Sequence, residues 1–340
     1  MQKISTKALQ DVQRDQFSRQ LNVPSLMPLD EYRQLYASVM RRGADALGSW
    51  IERACQLRGL AKPTTAVVLG SGLGGLVRQV EAVGELSFAE AGLPSPSADG
   101  HAGRFVLGVL DERTILLQSG RLHCYEHWHP AVVALPVRMQ ALAGLRTFVL
   151  TNAAGSIDPS VKVGHVVVLS GDRGAEGYSP SGGLYDDSEC KGPFGPKFYS
   201  VNQSYDSSLR AKFIECATKL SIPVHQGVYQ FMLGPRFEQV GEIREFVRLR
   251  KQAIAEGDSE YAVIVVGMST APEAAALAQL RADQRFASIQ TLGISNVTNL
   301  AAGIGGSEPS SEDVLLSAPL GGGRIVQVLR EMLRKPDQAQ

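Results

Sequence analysis

The sequence predicts an α/β fold: a single domain with a mixed central β-sheet flanked by helices. Short β-branched runs recur at residues 65–69, 104–110, 114–118, 147–150, 165–169, 228–233, 262–266 and 288–294. Helix-like spacing fills intervals near 131–143, 207–220, 239–251 and 271–281. This alternation of the two periods marks a sheet covered by helices rather than a bundle or a sandwich. With 340 residues, 44% of them hydrophobic, the chain has enough apolar material to bury a sizeable core.

Residues 1–30 are polar and without period, and read as a loose arm. Behind them Leu35, Val39, Ala44, Leu47 and Ile51 fall at helical spacing after Asp30, a candidate N-cap. Residues 1–60 are therefore assigned to an arm and helix, and 61–340 to the main domain. Asp111-Glu112 should turn a hairpin between the second and third runs. Residues 171–196, rich in Gly, Pro, Ser and Asp, are too long for an ordinary connector and suggest a functional surface loop, a candidate lid. Toward the C-terminus, residues 311–334 begin with a helical pattern. Pro319 and the glycines 321–323 should break it into two short helices.

Charge and cysteine usage narrow the class. Thirty-four basic residues balance thirty-four acidic ones, so no overall field favours nucleic acid or an anionic membrane. The four cysteines are scattered, with no C-x-x-C pair, which argues against a disulfide framework or a thiolate zinc site. No apolar stretch approaches the length of a membrane span, and the first residues lack an apolar signal core. The expectation is a cytoplasmic protein with small-molecule partners.

The chemistry begins at AVVLGSGLGGL, residues 66–76, a buried-type strand running into a glycine turn with Ser71 at its tip. Backbone N–H groups and a hydroxyl there can hold an anion. Glycines 70, 72 and 75 also satisfy G-x-G-x-x-G, so the loop alone leaves a dinucleotide-binding reading open. GHAGR at 100–104 and GRLHCYE at 120–126 shift the balance by supplying His101, Arg121, His123 and Tyr125. A guanidinium fork with two imidazoles nearby outlines a phosphate cradle. His127, His129, His165 and His225 read as structural, and Pro130 with the lack of acidic or cysteine partners argues against a metal site, so no metal and no cofactor are expected.

GSGLGGL, GHAGR, GRLHCYE, TNAAGSI, GPRFE, VGMST and SNVTN follow one another in chain order, from about residue 64 to 314. In that order they resemble the trimeric, low-molecular-mass class of the purine nucleoside phosphorylase and methylthioadenosine phosphorylase family. The resemblance implies the nucleoside phosphorylase fold. It also implies a pentosyltransferase that cleaves purine nucleosides with phosphate to free base and ribose 1-phosphate, with phosphate as co-substrate, and a homotrimer. It places Ser71, His101, Arg121, His123, the N–H of Ala153 and Ser269 on phosphate. Glu238, Asn299, Phe237 and Val266 would meet the purine, and Tyr125, Met268 and Tyr229 the ribose, with Phe198 lent from a neighbouring subunit. Asn299, Glu238 and His123 are the implied catalytic set. A carboxylate and an amide at 238 and 299 are poor core residues without a polar partner, and a purine edge is such a partner.

One departure stands out. Where the family carries a histidine that reaches the ribose 5′-hydroxyl, this chain has Ser311 in GSEPSSEDV, so recognition of the 5′ group is expected to differ. Asn299 favours 6-oxopurines, whereas the methylthioadenosine enzymes of the family usually have aspartate there. A methylthioadenosine phosphorylase and a non-catalytic nucleoside-binding scaffold remain the alternatives. The N-terminal arm and the additional residues near 250–260 read as surface features.

Overall fold

The computed structural model describes residues 21–22, 27–98, 102–174, 179–187 and 192–334. Nine strands form its sheet: β1 (Thr65–Leu69), β2 (Glu81–Ser87), β3 (Arg104–Leu110), β4 (Arg113–Ser119), β5 (Thr147–Ser156), β6 (Val166–Arg173), β7 (Val224–Phe231), β8 (Val263–Gly267) and β9 (Gln290–Leu300). The helices are α1 (Leu29–Arg58), α2 (Pro130–Val133), α3 (Leu135–Leu142), α4 (Ser207–Lys219), α5 (Val240–Ala255), α6 (Ala271–Arg281) and α7 (Ser311–Leu333).

The strands run in the order β2-β3-β4-β1-β5-β8-β7-β6-β9, and β9 pairs back onto β5. Strands β5 to β9 thus close on themselves, with β2, β3 and β4 extending the sheet beyond β1. Parallel pairs (β4–β1, β1–β5, β5–β9, β6–β7, β7–β8) mix with antiparallel ones (β2–β3, β3–β4, β5–β8, β6–β9). This is the mixed, helix-flanked sheet the sequence predicts. Asp111 and Glu112 turn the β3–β4 hairpin with φ of 45° and 63°, the paired positive φ that a two-residue turn requires.

Helix α1 buries Tyr32, Tyr36, Met40, Leu47 and Ile51 along one face and packs on α3. Gly59, at φ 63°, closes it by donating its N–H to the carbonyls of Cys55 and Gln56. The helix begins one residue before Asp30, which is not its N-cap; Pro28 holds that position, and Asp30 and Glu31 supply charge to the first turn. Of the predicted arm at residues 1–30, residues 1–20 and 23–26 lie outside the described residues, as do 175–178 and 188–191 of the candidate lid, while Leu21 is buried in the core.

Three other expectations change. Strand β2 was not legible, because EAVGELS is an edge segment with no fully buried residue and weak β character. Strands β5 and β9 run six residues further than their apolar runs suggest, carrying TNAAGS and SNVTNL into the sheet. Residues 311–333 form one helix instead of two. The glycine run there is a packing device. A Cβ on Gly321 would lie 1.9 Å from Asn296 Oδ1, and one on Gly322 would lie 2.9 Å from the Gly72 carbonyl. Asn296 Nδ2 donates to the Ala318 carbonyl at 2.7 Å, tying the helix to β9 just before Pro319. The donor that Pro319 lacks would have served Leu315, which is half exposed.

Gly321→Ala should therefore lower stability by about 1–3 kcal/mol through overpacking. Gly323→Ala meets nothing within 4 Å and should be neutral or stabilising. Thermal unfolding of the two variants side by side checks this; equal midpoints would mean that the close approach of α7 to β9 does not constrain residue 321.

Candidate active site

A pocket of about 360 Å³ opens where the C-terminal ends of β1, β4 and β8 meet the distal halves of β5 and β9. This is where open α/β sheets place ligands, because the loops leaving the strands diverge there. Ser71 enters from the loop after β1. Gly70 lets that loop lie against β5: its N–H donates to Thr151 Oγ1 at 2.9 Å, and a Cβ there would sit 2.7 Å from the Thr151 carbonyl oxygen. The loop continues into a single 3-10 turn, Leu73–Leu76, and then the edge strand β2. No long helix starts on the glycines, so the dinucleotide-binding alternative loses the helix N-terminus it needs.

Arg121 is 1% exposed. Its Nη1 donates to the Thr151 carbonyl at 2.7 Å and to Ser269 Oγ at 3.3 Å, and its Nη2 stands 3.3 Å from Glu273 Oε2. Next along the chain, His123 Nδ1 lies 2.9 Å from Glu126 Oε1, which also accepts the His123 N–H at 2.9 Å. Burial pushes the imidazole below its usual pKa despite Glu126, so the ring is neutral near pH 7. Nδ1–H is then committed to the carboxylate, and Nε2 carries the lone pair. In that tautomer His123 presents an acceptor rather than a donor at Nε2. Burial alone would raise Glu126, but hydrogen bonds from His123 and from the N–H and hydroxyl of Ser97 bring its carboxyl down to about 2.

The polar pair expected for a purine sits on β9 and the loop before α5. Glu238 and Asn299 are 7% and 8% exposed. Glu238 Oε1 accepts from Ala302 N–H at 3.1 Å. Asn299 Oδ1 accepts from Thr298 Oγ1 at 3.1 Å, and its Nδ2 donates to the Leu300 carbonyl at 3.0 Å. The amide orientation is fixed by these partners, and one lone pair and one N–H remain for a ligand. The β5–β9 register jumps from Ala154↔Val297 to Gly155↔Asn299, leaving Thr298 as the extra residue of a bulge. Bulges re-aim the side chain that follows, and Gly155 makes room for this one: a Cβ there would meet Asn299 Nδ2 at 2.9 Å.

Of the predicted site residues, Ser71, Arg121, His123, Ala153, Ser269, Phe237, Glu238, Val266, Asn299, Tyr125 and Met268 all line this one pocket. The pocket also reaches α7, with Ser311, Val314 and Leu315 in its wall. Tyr229 does not line it. Fully buried behind the wall, it accepts the Ser269 N–H on its hydroxyl at 3.0 Å and so braces Ser269, which does line the pocket. Phe198, 85% exposed, stands away from the pocket of its own chain. His101 lies outside the described residues. Elsewhere, His129 caps α2 by accepting from Ala131 N–H, and His165 pairs with His225 at 2.9 Å. Among the described residues no group of three His, Cys, Asp or Glu side chains is placed to hold a metal ion.

Sequence reasoning missed Glu126, Glu273 and Thr298. Thr270-Ala-Pro-Glu273 does read as a helix-start signal, T-x-x-E. Nothing local shows that its carboxylate meets an arginine 152 residues earlier.

The family model of the Phosphorylase superfamily matches residues 64–334. The chain belongs to that superfamily. Purine nucleoside phosphorylase from Mycobacterium leprae is 31% identical over 298 residues, 87% of this chain and 95% of that protein. The enzyme from Bos taurus is 32% identical over 241 residues, 70% and 76% of the two chains. A crystal structure of a Schistosoma purine nucleoside phosphorylase in complex with hypoxanthine superposes with a TM-score of 0.65 at 26% identity, covering 84% of this chain and 96% of that one. Six of the seven motifs, all but GHAGR, contribute residues to the lining of the pocket.

The Glu126–His123 contact makes a prediction about acid stability. Glu126 titrates near 2 in the fold against an ordinary 4.5. The stability it contributes is therefore fully present above pH 4.5 and is lost as the pH falls toward 2. Glu126→Gln should lower the urea midpoint at neutral pH and flatten its fall between pH 4.5 and 2. A variant with an acid limb as steep as that of the parent would show that this carboxyl does not contribute.

Proposed function

We propose that the protein is a purine nucleoside phosphorylase that cleaves 6-oxopurine nucleosides, inosine and guanosine and their deoxy forms, with inorganic phosphate. One observation carries the reading: an anion-type cluster and a purine-type polar pair share one pocket at the right separation. Arg121 is anchored at Thr151 and Asn299 is paired with Gly155, four residues further along β5. At strand rise that is about 13 Å, the span of a phosphate, a ribose and a purine in line.

In this reading Arg121, Ser71, Ser269 and the Ala153 N–H hold phosphate, with His101 joining by family resemblance, and His123 Nε2 accepts from its proton or from a sugar hydroxyl. Tyr125, stacked on His123 with ring centroids 4.5 Å apart, and Met268 flank the ribose. Phe237 and Val266 sandwich the base. Phosphate attacks the anomeric carbon from the face opposite the base as the glycosidic bond breaks; the bonding pair leaves with the purine, and no covalent enzyme intermediate forms. Positioning the three fragments removes the entropic cost of their encounter. Asn299 supplies the differential part: its Nδ2–H bond strengthens as negative charge flows into the departing base, and its Oδ1 accepts from N7 once N7 takes a proton from solvent water, while Glu238 holds the base by accepting from N1–H. The exposed Phe198 suits a contact with a neighbouring copy, consistent with a homotrimer, and the reducing cytoplasm suits the scattered free cysteines.

A second reading has an observation in its favour. The α7 wall offers the pocket one hydroxyl, Ser311, and two aliphatic side chains, Val314 and Leu315. Such a wall tolerates an apolar 5′ substituent, as in 5′-methylthioadenosine, whereas Asn299 favours a 6-oxo base.

Release of free base from inosine, guanosine, adenosine and 5′-methylthioadenosine, with and without phosphate, separates the readings. Phosphate-dependent release of hypoxanthine and guanine is expected. Selective cleavage of methylthioadenosine would transfer the assignment to the sister activity, and no cleavage of any substrate would leave a nucleoside-binding scaffold. In the active enzyme, Asn299→Ala should lower kcat on the order of 10²- to 10³-fold and leave the phosphate KM nearly unchanged. Equal losses in both would reduce the amide to a binding contact.

A further inference from the structure

The least expected charge in the site is Glu273. It is 0% exposed, in the first turn of α6, with Oε2 3.3 Å from Nη2 of an equally buried Arg121. The positive end of the helix favours a carboxylate at this place. Burial holds the Glu273 carboxyl above its ordinary value, opposed but not cancelled by Arg121 and the Thr270 N–H. Thr270 itself has φ 71° and ψ −49°, an unusual conformation for a β-branched residue. Its hydroxyl is held by Asn152 Nδ2 at 3.0 Å and lies 3.3 Å from Ser269 Oγ. Ser269, the residue before this strained corner, lines the pocket.

We infer that Glu273 is a positioning residue that neutralises Arg121 while the phosphate site is empty and thereby limits how tightly the site holds phosphate. The inference rests on the phosphate role given to Arg121 above. A guanidinium this deeply buried needs a counter-charge when no anion is bound, since an uncompensated charge in the interior is strongly destabilising. Glu273 supplies it. The orientation of Arg121 does not depend on Glu273 alone, because the Thr151 carbonyl and Ser269 Oγ also hold its Nη1. When phosphate arrives, two anions share one guanidinium and repel each other across it. The carboxylate therefore works against the phosphate it helps to receive, which favours release of the phosphorylated sugar.

This reasoning gives the two obvious substitutions opposite signs, which a merely structural role would not. Glu273→Gln keeps the shape of the side chain and an acceptor for Thr270 but removes the charge. Its phosphate KM should fall about three-fold or more as the repulsion disappears. Its kcat should fall as product release slows, and its thermal midpoint should drop without phosphate and recover with it. Glu273→Ala also releases the Thr270 corner, so its phosphate KM should rise. The experiment is steady-state phosphorolysis of inosine against phosphate concentration, paired with phosphate titration of the thermal midpoint for each protein. An unchanged or raised phosphate KM in Glu273→Gln, with a midpoint indifferent to phosphate, overturns the inference. If that variant does not fold, Glu273→Asp decides: the shorter carboxylate pairs less closely, so a lowered phosphate KM supports the inference and an unchanged or raised one overturns it. A parent protein that binds phosphate in the titration but cleaves no nucleoside would refute the proposed activity instead, and the midpoint titration would still test Glu273.

Discussion

The parallel pairing of β5 with β9 sets the dimensions of the site, and most of the chemistry follows from it. One end of the shared stretch offers the Thr151 carbonyl that fixes Arg121. The other end, past the bulge at Thr298, presents Asn299 over Gly155. Backbone hydrogen bonds between adjacent strands are stiff, so the distance between the cation and the amide is set by the strand rise rather than by flexible loops. Everything else packs around this ruler: the β1 glycine loop against Thr151 and Asn152, α6 behind Arg121, and α7 along β9 through Asn296 and the glycines at 321 and 322.

Burial of charge is the second organising constraint. Arg121, Glu273, His123, Glu238 and Asn299 are all nearly or fully buried, and a buried polar group needs partners. Three of them, His123, Glu238 and Asn299, have partners that take up part of their hydrogen-bonding capacity. Glu126 engages His123 Nδ1; Ala302 engages one oxygen of Glu238; Thr298 and Leu300 engage half the amide of Asn299. These partners fix rotamers and tautomers before substrate arrives, which is the preorganisation that lets a hydrogen bond act at the transition state rather than merely bind.

The pocket has a polar side and an apolar one. Glu238 and Asn299 are held by the sheet and by backbone groups. The wall from α7 is formed by Ser311, Val314 and Leu315, beside a helix surface where Leu316 and Leu320 are also exposed.

Turn chemistry, apolar periodicity and short motifs are local signals, so the alternation of strands and helices, the β3–β4 turn at Asp111-Glu112 and most of the candidate residues that line the pocket were legible in the chain itself. It did not show that polar segments such as TNAAGS and SNVTNL continue as strands, since their pairing energy comes from neighbours remote in the chain. Nor did it show that the glycines after Pro319 lie inside a helix. Glycine reads locally as a breaker, whereas here its missing Cβ is what allows α7 to approach β9. The Arg121–Glu273 and His123–Glu126 contacts and the bulge at Thr298 were decided by tertiary structure. Each depends on register and burial, quantities that exist only once the sheet has closed and water has been excluded.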